Sequence, residues 1–80
     1  MSGVKDIVII GAGGVGREVS LIIEHINSFR PTWNVLGFID DNPINLGKVI
    51  DRHKVIGNIE HLSNLSKDTY VIIAIANYKV

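Results

Sequence analysis

Asp6-Ile7-Val8-Ile9-Ile10 is a continuous, mostly β-branched run that stops at a glycine. Unbroken apolarity over so few residues marks a strand buried on both faces. A different period follows. Val15, Val19, Ile22, Ile23 and Ile26 recur at offsets 4, 7, 8 and 11, which places them on one face of a helix beginning near Gly14. Arg17, Glu18, Ser20, Glu24 and His25 fall largely on the opposite side. Asn27-Ser28 and Pro31 end the helix, because proline lacks the N–H the next turn needs.

Trp33 to Asp40, "WNVLGFID", reads as a second strand. Simple alternation puts Trp33, Val35 and Ile39 on one face and Leu36 and Phe38 on the other. Asn42-Pro43 imposes a turn. The stretch from Ile44 to Gly57 is polar with short apolar pieces, and reads as a loop followed by a short extended segment at Lys54–Ile56. Asn58 is placed to cap a short helix carrying Ile59, Leu62 and Leu65. Thr69 to Ala76, "TYVIIAIA", is a third strong strand, apolar on both faces.

Strands alternating with helical segments indicate parallel pairing through right-handed crossovers. The expected fold is therefore α/β: a small Rossmann-like, three-layer domain spanning residues 1–80, with a short parallel sheet of three main strands and the first strand central. The first and third strands, being the most apolar, are expected at the sheet centre. A switch point then lies at the C-terminal end of the first strand, where open α/β sheets bind ligands. The third strand has no following helix to cover it, so the chain is expected to be the front of a longer protein.

Eighty residues suit one small domain, and a chain of this size buries only about 60% of its unfolded surface. Eight basic and eight acidic residues leave no net charge, which argues against a nucleic-acid binder with a clustered basic face. The absence of cysteine excludes disulfides and thiolate metal sites. His25, His53 and His61 show no metal-ligand spacing. The four-residue apolar run before Gly11 is too short for a signal sequence or a membrane span, so a cytoplasmic protein is expected.

Gly11-Ala12-Gly13-Gly14-Val15-Gly16 matches G-x-G-x-x-G between a strand and a helix. In that setting Gly11 permits the tight turn, Gly13 lets a ligand approach the backbone, and Gly16 allows the helix to pack on the sheet. The helix start then offers free N–H groups and a partial positive charge to an anion. Asp40 stands 24 residues beyond Gly16 at a strand end, near the roughly 20-residue spacing of a ribose-binding acid. Asp41 beside it adds a second acceptor, or else belongs with Asn42 and Pro43 to turn chemistry.

Taken in order, "IVIIGAGGVGREV", "VLGFIDDNP", "GKVI…VIG" and "VIIAIAN" resemble the N-terminal domain of bacterial sugar acyltransferases, the sialic-acid O-acetyltransferase and UDP-amino-sugar N-acetyltransferase group (NeuD- and PglD-like). The resemblance covers almost the whole chain, and the doubled acid before Asn-Pro is its most specific part. It implies a domain that binds a nucleotide sugar, commonly UDP-linked. The implied contacts are Gly13, Gly14 and Val15 in a loop shaped by Gly11 and Gly16, then Asp40 and Asp41, then Ala76, Asn77 and Lys79. It also implies a following left-handed β-helix of hexapeptide repeats, usually trimeric, that binds acetyl-CoA and supplies a histidine base. Relatives often carry a polar or aromatic residue where Val15 stands, and glycine where Ala76 stands.

Other residues read less sharply. Arg17 fits a phosphate contact or a solvated helix face, and Asn77 a base-edge contact or the cap of a next helix. No nucleophile–base or carboxylate pair with catalytic geometry is legible, so no catalytic and no metal residue is assigned. The expected function is substrate binding within an acetyltransferase. The alternative is the first half of an NAD(P)-dependent oxidoreductase or nucleotide-sugar epimerase, which the glycine loop and Asp40 also fit.

Overall fold

The computed structural model describes residues 3–75. The chain runs β1 (Lys5–Ile10), α1 (Gly14–Phe29), β2 (Trp33–Ile39), β3 (Val49–Ile50), β4 (His53–Gly57) and β5 (Tyr70–Ile73). Two 3₁₀ helices, Pro43–Asn45 and Ile59–Asn64, lie between them. The fold is α/β. The sheet has five strands in the order β3-β4-β2-β1-β5, not the three expected. β1 pairs in parallel with both β2 and β5, and β2 in parallel with β4. Only β3 is antiparallel, closing a hairpin onto β4.

β4 was legible as the extended piece at Lys54–Ile56, but its pairing with β2 was not. Its sequence His53-Lys54-Val55-Ile56-Gly57 buries only Val55 and Gly57, so it lacks the continuous apolar run of a central strand. β3 is two residues long and leaves no periodic signal at all. The turn joining the two, Asp51-Arg52, has positive φ at both positions (49° and 74°), as a two-residue hairpin loop requires.

β5 also departs from expectation. Among the described residues it is an edge strand, and Tyr70, Val71 and Ile73 are exposed. Its apolar content suits a central strand, yet among the described residues only β1 pairs with it.

β2 does not alternate simply. In its register with β1, Ile7 faces Val35 while Val8 faces Gly37, so Leu36 is an extra residue and the strand bulges. The bulge changes the phase of everything after it. Trp33, Val35 and Phe38 all join the cluster under α1, with Ile7, Ile9, Ile23, Val55 and Ala74. Leu36 and Ile39 join the opposite cluster, with Val8, Ile10, Ile56, Leu62 and Leu65. Phe38 and Ile39 have thus exchanged the faces that strict alternation gives them. Gly37 makes this possible: at φ 152°, an added Cβ would lie 2.5 Å from the Lys54 carbonyl oxygen.

α1 covers one face of the sheet. Its buried residues are Gly16, Ser20 and Ile23, so the contact stripe is turned from the one expected. Ile22 is exposed, whereas Ser20, assigned to the polar side, is fully buried. Small side chains at positions four apart allow the helix axis close to the sheet, and the larger Val15 and Val19 pack at the margin. Asn27 fixes the exit from the helix: its Oδ1 accepts from the amides of Thr32 and Trp33, and its Nδ2 donates to the Trp33 carbonyl.

The other face is covered by the 3₁₀ helix Ile59–Asn64. Asn58 caps it as expected, accepting from the Glu60 amide at 3.0 Å. Leu62 and Leu65 stand three residues apart, the repeat at which 3₁₀ side chains align, and both reach the sheet.

Candidate functional site

At the C-terminal ends of β1 and β2 the chain turns through the glycine loop. Gly11 has φ 109°, and a Cβ there would come within 2.5 Å of the Ala74 carbonyl oxygen. The loop is stitched to both neighbouring strands. The Gly11 amide donates to the Ile39 carbonyl at 2.7 Å, and the Ala74 amide donates to the Ile10 carbonyl at 2.7 Å. Gly16 has the packing role its spacing suggests, since any side chain would overlap the Gly11 carbonyl.

α1 begins at Gly14 with Gly13 as its N-cap. The first main-chain bond of the helix runs from the Arg17 amide to the Gly13 carbonyl at 3.0 Å. The amides of Gly14, Val15 and Gly16 precede that bond and have no partner within the helix. No side chain caps them, and no acidic residue lies in the first turn. Space above Gly13 and Gly14 is open: an added Cβ would meet nothing within 4 Å at either position. The loop therefore presents a bare, electropositive helix end to solvent.

A cleft of about 480 Å³ lies over this end, a size typical of small-ligand sites. Its walls include Gly11, Gly13, Gly14 and Val15 from the loop and Asp40 and Asp41 from the end of β2. Apolar side chains complete it: Ile10, Ile39, Ile59 and Ile75. Of the residues singled out in the sequence, the fold thus brings together the loop and the acidic pair. Gly16 lies beneath the cleft rather than in its wall, and Ala76, Asn77 and Lys79 lie outside the described residues.

The acidic pair lies just past the end of β2, and its two members bond to opposite sides of the cleft. Asp40 turns toward the α1 side. Its Oδ2 accepts from the Ala12 amide at 3.2 Å and from Asn45 Nδ2 at 3.4 Å, and its Oδ1 accepts from the Asn42 amide at 2.8 Å. Asp41 turns the other way, and its Oδ1 accepts from the Ile59 amide at 2.9 Å. Each acid holds one wall of the cleft.

The G-x-G-x-x-G loop, the acidic pair and the sheet arrangement span nearly the whole chain, and the family described as the PglD N-terminal domain matches residues 6–80. The chain belongs to the PglD N-terminal domain family. Comparison with curated proteins gives no match. Membership makes sugar acetyltransferases the family context of this domain.

Within the family frame, several residues fall outside the cleft. Arg17 points away from it, its Nε lying 3.7 Å from Asp51 Oδ2, and Arg52 lies 3.6 Å from Glu24. These two pairs tie the β3–β4 turn to the flank of α1. The two arginines are largely exposed, while Asp51 and Glu24 are partly covered. No histidine lines the cleft among the described residues. His25 packs edge-on against Phe29, His53 against Phe38, and His61 lies over Gly57. No helix of the described residues is long and apolar enough to cross a membrane.

Sequence reasoning missed Ile59 and Asn45. Asn58 announced the 3₁₀ helix, but nothing in the sequence shows that its first residue borders the cleft. The Asp41–Ile59 bond uses a backbone amide, which leaves no trace in residue identity.

Proposed function

We propose that this domain binds a nucleotide-linked sugar in the cleft and holds it for acetyl transfer. The observation that carries this reading is the uncapped start of α1, opened to solvent by Gly13 and Gly14 beside the carboxylates of Asp40 and Asp41. A diphosphate linker suits the free amides of Gly14 and Val15, because each oxygen can accept hydrogen bonds where the helix dipole favours negative charge. The nucleoside suits the far end, between the acidic pair and the apolar side chains. Ala76 and Asn77, next in the chain after Ile75, are proposed to extend the site. Val15 offers the ligand its amide and an apolar surface, not a polar side chain.

Family membership supports sugar acetyltransfer as the setting. Acetyl-CoA, the histidine base and the trimeric β-helix implied by the resemblance are proposed for residues that follow this domain, and the cytoplasm for its location. The share of this chain is positioning: gripping the nucleotide so that the acceptor amine or hydroxyl arrives in one orientation. Orientation of that kind supplies up to about 7–11 kcal/mol of the barrier in favourable cases.

The dinucleotide alternative has no comparable support. The family match is to the PglD N-terminal domain, whose context is sugar acetyl transfer. Calorimetric titration with UDP-N-acetylhexosamine and, separately, NADH tests the choice. Binding of the UDP-sugar with no heat from NADH is the expected result; NADH binding without a response to UDP-sugar overturns the reading.

A further inference from the structure

The Asp41–Ile59 contact joins two elements separated by 18 residues, and it is the side-chain hydrogen bond from the end of β2 to the 3₁₀ helix among the described residues. Ile59 is 45% exposed although it is a large apolar residue, and the surface it exposes borders the cleft. Its neighbours at the same repeat, Leu62 and Leu65, are spent on the sheet. Ile59 is therefore the one member of the stripe left to face a ligand.

We infer that Asp41 is a positioning residue: it locks the first residue of the 3₁₀ helix so that Ile59 forms an apolar wall for the planar base of the nucleotide. The inference rests on the nucleotide reading above and assigns the base-facing surface within it. The chemistry is consistent along the cleft. One end carries bare amides for charge, and the other carries Ile59, whose side chain has no hydrogen-bonding group and offers a flat base an apolar packing surface. Asp41 Oδ1 accepts from the Ile59 amide, and this bond fixes the wall in place. Such a wall discriminates between ligands that have a base and ligands that do not.

The test uses the whole chain, with UDP and inorganic diphosphate as probes, by calorimetry. Ile59→Ala is expected to weaken UDP binding by about tenfold, in line with a lost apolar contact, and to leave diphosphate binding unchanged. Asp41→Ala is expected to do the same. In the double variant the two losses do not add, because the second substitution removes a support whose wall is already gone. Independently of any ligand, the Ile59 amide should exchange slowly in the wild type and in Asp41→Asn, and fast in Asp41→Ala. UDP binding unaltered by Ile59→Ala overturns the inference alone. A full additional loss from Asp41→Ala on the Ile59→Ala background also overturns it, showing direct contact. A wild type that ignores UDP overturns the nucleotide reading, and an Ile59 amide indifferent to Asp41→Ala removes the positioning role by itself.

Discussion

Asp40 Oδ2 accepts a hydrogen bond from the Ala12 amide at 3.2 Å, joining the end of β2 to the middle of the glycine loop across 28 residues of sequence. The same carboxylate accepts from Asn42 through its other oxygen. The acid expected to hold a ligand first of all holds the loop that would do so. Its neighbour Asp41 does the same for the opposite wall, which explains why two acids stand side by side.

The isosteric change Asp40→Asn should therefore be costly. The Ala12 and Asn42 amides need acceptors on different oxygens, and asparagine has one oxygen and one NH₂ group. One amide would be left facing a donor, a loss of about 1–3 kcal/mol. Urea unfolding of both proteins measures it; equal midpoints would show that the tie contributes nothing.

The phase of β2 depends on Gly37. Gly37→Ala would set a Cβ 2.5 Å from the Lys54 carbonyl and 2.7 Å from Ile56 Cγ2 at a φ of 152°. A destabilisation of more than about 1 kcal/mol is expected, with loss of the β2–β4 pairing. The thermal midpoint of the variant, and the amide exchange of Val55 and Gly57, check it.

Ser20 offers the opposite case. It is fully buried, and its Oγ has no hydrogen-bond partner among the described residues. Replacing it with alanine removes an unpaired hydroxyl and improves helix propensity, so Ser20→Ala should gain about 1 kcal/mol. A lower midpoint in denaturant would mean that the hydroxyl is satisfied in solution.

Much of this arrangement could be read from the chain. Asp6–Ile10, the glycine loop and the helix after it gave themselves away because burial on both faces and a 3.6-residue repeat each leave a pattern. The placing of β1 between β2 and β5 followed from the same reasoning and agrees with its pairings, although β2 is the middle strand of the five. What stayed hidden was whatever depends on backbone rather than side-chain identity. The extra residue at Leu36 shifts Phe38 and Ile39 between faces without altering composition. Ile22 looked buried and Ser20 exposed because periodicity fixes a stripe only to within about one position, and close packing selected the smaller residue.

Arg17 and Asp40 should differ in their effect on ligand binding. Arg17 pairs with Asp51 and takes no part in the cleft wall, whereas Asp40 anchors the loop. Arg17→Ala is expected to change UDP-sugar affinity by less than about twofold, because its partner Asp51 lies outside the cleft wall, and Asp40→Ala to weaken it by about tenfold or more. Calorimetry on the two variants compares them; equal or reversed losses would contradict the site as drawn.

The most direct measurement is amide chemical-shift mapping of the ¹⁵N-labelled chain during titration with UDP-N-acetylhexosamine. The largest shifts should fall on Gly13, Gly14 and Val15, with a second group at Asp41 and Ile59. Saturating shifts confined to other surfaces, or none at millimolar ligand, would contradict the claim that the open start of α1 grips a nucleotide's phosphates.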